Sequence, residues 1–126
     1  MQGQDGKLQS GVLEGFRVLK LIPLVIRYAA GAPSIVQNPT NEAITLTDTG
    51  TGDVLVTLTN GGVAPLIVVG MNILPADATT LGLLANLKAA PTRTAFSVYV
   101  NSGADGATET DPVDIHLLIV KQEQSA

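Results

Sequence analysis

The stretch AITLTDTGTGDVLVTLT, residues 43–59, restricts the fold more than any other part of the chain. Ile44 and Leu46 alternate with Ala43, Thr45 and Thr47; Val54, Val56 and Leu58 alternate with Leu55, Thr57 and Thr59. A period of two belongs to antiparallel strands that rest one face on a core, and no helix repeats that way. Between the runs, DTGTGD offers two glycines for positive φ and two aspartates that can bond the turn backbone. The pattern predicts a β-hairpin.

The remaining segments agree with it. FRVLKLIPLVIRYAA, from Phe16, is rich in β-branched residues, and Pro23 rules out a helix interior. It reads as one or two strands bent at Pro23, with the proline on an edge or at a bulge. A Gly-Ala-Pro turn precedes a short strand at SIVQ, and an Asn-Gly-Gly turn precedes APLIVVGMNIL. That second run is apolar throughout, as in strands covered on both faces. FSVYV, residues 96–100, puts Phe96, Val98 and Val100 on one face. DIHLLIVK sets Ile115, Leu117 and Ile119 opposite His116, Leu118 and Val120, which suits a central strand or a subunit interface.

Residues 77–90, DATTLGLLANLKAA, are ambiguous. Leu81, Leu84 and Leu87 have helical spacing, and Asp77 or Thr79 can cap a helix. Gly82 and Asn86 weaken a helix and every neighbouring segment is β, so a strand is the expectation. The sum is about eight short strands, an antiparallel β-sandwich or jelly roll. Its 126 residues suffice for one domain, expected over 16–126, behind a glycine-rich flexible arm at 1–15.

Composition narrows the function. Charged residues make up 14% of the chain, against about 25% in typical soluble domains. A small monomer needs a charged exterior to stay soluble, so part of this surface is expected to be buried against copies of itself or a partner. A net charge of −4 and scattered basic residues argue against nucleic acid or an anionic membrane as partner. LIPLVI, residues 21–26, is far shorter than the roughly 20 apolar residues of a membrane helix and is not a signal-peptide core.

Chemistry-bearing residues are sparse. There is no cysteine, and His116 is the single histidine, which disfavours zinc and leaves one base for any nucleophilic triad. In an apolar strand His116 reads as a packed or interface histidine. Asp105, Glu109, Asp111 and Asp114 do not follow the calcium-loop spacing, and Asp111-Pro112 reads as a turn initiator before the last strand. Aromatic residues amount to 3%, too few for a saccharide platform. The expectation is a protein that is not an enzyme and takes no metal or cofactor.

Read in order, LTDTGTGDVLVTLTN, APLIVVG and PTRTAFSVYVNSGADGATETDPVDIHLLIV resemble a β-sandwich module of tailed-bacteriophage particles. The likeness covers residues 30–121 and rests on the order and spacing of turns and strands, since no single motif is specific. That module recurs in small head decoration or cement proteins and at tail-fibre tips. The resemblance implies a virion structural protein, assembled in the host cytoplasm, that binds the major capsid protein and forms a homotrimer. The alternative it implies is a tail-tip receptor-binding module. It also implies that residues 101–114 form a loop at one end of the sandwich. Under the decoration reading, Leu8, Val12 and Leu13 of the arm and Phe16, Val18, Leu21, Arg27 and Tyr28 of the following segment are the expected partner contacts, with His116.

Overall fold

The structure, a computed structural model, describes residues 17–29, 32–50, 52–74, 83–101 and 113–124. Among these residues it is all β, with eight strands: β1 (Arg17–Tyr28), β2 (Ser34–Gln37), β3 (Ile44–Gly50), β4 (Asp53–Leu58), β5 (Ile67–Leu74), β6 (Leu84–Leu87), β7 (Ala95–Asn101) and β8 (Val113–Gln124). They form two antiparallel four-stranded sheets, ordered β2-β1-β8-β5 and β3-β4-β7-β6. The two sheets enclose one core. The chain is therefore an antiparallel β-sandwich, as the alternation predicts.

The core is built from the period-two positions. Ile22, Leu24, Ile26 and Tyr28 of β1 and Val113, Ile115, Leu117 and Ile119 of β8 point inward from one sheet. Val54, Val56 and Leu58 of β4 and Phe96, Val98 and Val100 of β7 meet them from the other. Fully burying an aliphatic side chain contributes about 1.5–3 kcal/mol, so these facing rows dominate the stabilisation. A one-residue slip in β1 or β8 would turn every one of these side chains to solvent, which fixes the register.

β3 and β4 form the expected hairpin, with Ile44 opposite Leu58 and Gly50 opposite Asp53. Gly50 and Gly52 carry the turn at φ 147° and 74°, values that L side chains rarely adopt. Asp48 Oδ1 accepts a hydrogen bond from Gly50 N at 3.2 Å, the local aspartate bond expected of this turn. β1 runs unbroken through Pro23 and does not divide into two strands. Among the described residues β2 pairs with β1 from Val25 to Arg27, and none of them pairs with the flank of β1 at Pro23 opposite β8. Pro23 is thus on a local edge, where a missing N–H breaks no ladder.

Leu84–Leu87 of the ambiguous stretch is a strand paired with β7, and residues 77–82 of it lie outside the described residues. Tertiary pairing prevails there over a weak helical pattern. β8 is central, as expected. β5 is an edge strand with one face open, which corrects the expectation that its apolar run is covered on both sides: Ile67, Val69 and Leu74 are exposed. Between Val69 and Asn72 it holds one residue more than the facing strand, which passes from Leu118 to His116. Gly70, at φ 62°, absorbs this bulge and restores the alternation, so that Met71 and Ile73 face the core.

Polar links close both ends of the sandwich. At one end the Tyr28 hydroxyl of the first sheet accepts a hydrogen bond from Gly52 N at the hairpin of the second, 3.0 Å away. At the other, Lys121 of β8 turns inward and meets Glu42, which precedes β3. Of the loop expected at 101–114, Asn101 belongs to β7 and Val113 and Asp114 to β8, because the ladders extend that far; residues 102–112 between them lie outside the described residues, as does the arm at 1–15.

Candidate functional site: the outer face of the β2-β1-β8-β5 sheet

Antiparallel register lines up side chains in rows across the sheet. On the side facing away from the core, Leu21, Val120 and Ile67 form one row, and Pro23, Leu118 and Val69 the next. Leu19 extends the first row toward the end of β1, beside Gln122. Leu19 is 60% exposed, Leu21 55%, Val69 47% and Ile67 46%. Scattered surface leucines need no explanation, but this is a contiguous aliphatic surface on three adjacent strands.

Its polar border begins one row further. Val25, His116 and Asn72 lie abreast, then Arg27, Asp114 and Leu74. Arg27 donates to Asp114 through Nε at 2.8 Å and Nη2 at 3.2 Å, a two-pronged pair across neighbouring strands. The hydrogen bond to Asp114, reinforced by its charge, raises the Arg27 pKa further above its ordinary value. The pair neutralises the only two charged side chains among those described on this face.

Three of the expected contact residues therefore share one surface: Leu21, Arg27 and His116. Val18 is on the opposite side of β1, exposed near the strand end. Tyr28 is only 2% exposed and its hydroxyl is engaged within the chain, so it serves the core and is not on the surface. Leu8, Val12, Leu13 and Phe16 lie outside the described residues. Leu19, Ile67, Val69, Leu118 and Val120 escaped the expected list, although the apolar second face of β8 and the unbroken apolar run of β5 both signalled them.

Other candidate chemistry is thin among the described residues. No group of three or more His, Asp or Glu side chains is placed to hold a metal ion there; of the four loop acids only Asp114 is described, and it is bound to Arg27. A cleft of about 350 Å³ between edge strands β2 and β3 is lined by Pro33, Ser34, Ile35, Ile44, Thr45 and Leu46, with no ionisable group. No helix among the described residues is long and apolar enough to cross a membrane.

The second polar cluster is structural. Lys121 Nζ donates to Glu42 Oε2 at 2.8 Å and to the Asn60 carbonyl at 3.0 Å, and lies 3.2 Å from Glu123 Oε2. Lys20 Nζ lies 2.8 Å from the other Glu42 oxygen, pairing the charges without a well-directed hydrogen bond. Burial alone pushes the Glu42 pKa up, but the hydrogen bond from Lys121 and the close ammonium groups of Lys121 and Lys20 outweigh it and hold the carboxyl below its ordinary value. For Lys121 burial works downward, and Glu42 and Glu123 reverse it, leaving the ammonium above its ordinary value. The cluster closes one end of the core with its charges satisfied. No family model, curated protein or solved structure matches this chain.

Proposed function

We propose that this protein is a structural component of a tailed-bacteriophage particle, a head decoration or cement protein that binds the outside of the capsid and stabilises it. One observation carries the reading most directly: a well-packed small sandwich leaves a continuous aliphatic sheet face uncovered. Surface of that kind belongs in an assembly. The order of turns and strands over residues 30–121, similar to phage β-sandwich modules, supports the same reading and supplies the particle. The low charged fraction fits a protein that works in contact with others.

The mechanism is mass action. A protein that binds the mature shell and not its opened state stabilises the shell by RT ln(1 + [L]/Kd) per site, about 2.7 kcal/mol at a hundredfold excess over Kd. Many sites of that strength add up against internal pressure. The capsid partner is the major capsid protein, and the chain associates with itself as well.

Copy number per purified particle, measured by gel densitometry against the shell protein, tests this function. A stoichiometry comparable to the shell protein is expected. A handful of copies would contradict head decoration and move the chain to the tail, with its end loops as the receptor-contacting surface.

A further inference from the structure

The two outer faces of the sandwich are built differently. The β3-β4-β7-β6 sheet shows solvent Thr45, Thr47, Thr57, Ser97 and Asn86, with Leu55, Leu84, Ala95 and Tyr99 interspersed among them. The β2-β1-β8-β5 sheet shows two adjacent rows with no hydroxyl or amide: Leu21, Val120, Ile67 and Pro23, Leu118, Val69. One chain thus carries one face dressed for water and one that is not.

We propose that the aliphatic face is where the protein associates with further copies of itself, the rows of one copy packing against another. Charge favours a second copy over a different protein. The only charged side chains described on this face, Arg27 and Asp114, are paired with each other. Two copies therefore meet with no like charges opposed, although each carries a formal net charge of −4. A foreign partner selected by charge would find nothing here to read.

Size agrees. Twelve residues of β1 at roughly 3.3 Å each give about 40 Å, and three strands at roughly 4.8 Å give about 14 Å. The product, on the order of 550 Å² with the polar border counted in and the eight-residue β5 taken at the length of β1, is an upper bound at about two thirds of the ~800 Å² that each partner gives to a standard interface. The polar border at His116, Asn72 and the Arg27–Asp114 pair supplies a rim of the kind that surrounds such an apolar centre. Closed rotational symmetry leaves no growing end. The inference rests on the same face that supports the head-decoration reading, but self-association of the isolated chain is read without any particle, so its failure is distinguishable from a failure of that reading.

The test is the mass of the full chain in solution at micromolar concentration, by size exclusion with light scattering. The wild type is expected as a closed oligomer. Leu21→Lys combined with Val69→Lys is expected as a monomer with an unchanged circular dichroism spectrum. Thr45→Lys with Thr57→Lys, on the opposite sheet, should keep the oligomer. If the lysine pair fails to fold, Leu21→Thr with Val69→Thr keeps β propensity and should raise the dissociation constant at least about tenfold. A monomeric wild type overturns the proposal whatever the variants do. So does a folded lysine variant that retains the oligomer mass. A monomeric wild type whose lysine variant no longer binds particles would assign the face to another protein, which also contradicts it.

Discussion

Lys121 Nζ lies 2.8 Å from Glu42 Oε2, joining residues 79 apart in sequence, and both side chains are about 96–97% buried. The contact ties the last strand of one sheet to the segment that enters the other. Removing one member of a buried pair leaves an uncompensated charge, whereas replacing both by apolar groups is often neutral. Lys121→Met is therefore expected to cost about 3 kcal/mol by urea denaturation. Adding Glu42→Leu should recover most of that loss, since Lys20 is half open to solvent and can rehydrate. Additive losses in the double variant would show that the pair is not coupled.

The same cluster sets a pH dependence. Glu42 is held below its ordinary value of 4.5 in the folded chain, so the unfolded chain takes up its proton first as pH falls. Its contribution is complete above about pH 5 and is lost as pH drops through the folded value. Lys121 is raised above 10.5, so its contribution is complete below that pH and is lost as pH rises through the folded value. Urea unfolding across pH should show a shallower acid slope for Glu42→Gln than for the wild type. Equal slopes would mean that Glu42 is not held low.

Two glycines separate steric crowding from backbone strain. A Cβ on Gly61 would sit 2.5 Å from Thr94 Cγ2 and 2.7 Å from the Arg93 carbonyl oxygen. Gly70 has open space around it but φ 62°, the bulge conformation. Gly61→Ala is expected to cost about 1–3 kcal/mol, and Gly70→Ala about 1 kcal/mol. Asparagine tolerates the left-handed region, so Gly70→Asn should cost less than Gly70→Ala, while Gly61→Asn should be no better than Gly61→Ala. Thermal or urea midpoints decide, and the reverse order would contradict the assignment.

Tyr28 links the sheets through its hydroxyl. Tyr28→Phe keeps the ring and leaves the buried Gly52 N–H without this acceptor, an expected loss of about 1–3 kcal/mol. Hydrogen exchange at Gly52 should quicken more than exchange at Val56 in the middle of β4. Uniform acceleration would indicate a global effect instead of this local bond.

What was legible in the sequence was the part governed by period-two alternation. The hairpin at 43–59 and the inward faces of β7 and β8 follow from it, while the count of about eight strands also drew on β-branched content, Pro23 and the β character of neighbouring segments. The surface was legible only in outline. Leu118 and Val120 were visibly apolar on the wrong side of β8, but their alignment with Leu21, Pro23, Ile67 and Val69 depends on register, a long-range property. Tyr28 shows the converse: an aromatic at the end of an apolar segment reads as a contact residue, but the alternation of β1 turns it inward with Ile22, Leu24 and Ile26, where its hydroxyl meets Gly52 N. The Glu42–Lys121 pair carried no local signal, since nothing near either residue points to the other.

The proposed strengthening of a phage head is tested most directly by the temperature at which particles release their DNA. Particles stripped of this protein should burst several degrees lower than intact ones, and adding back the full chain should restore the difference. Identical release temperatures with and without it would contradict the account.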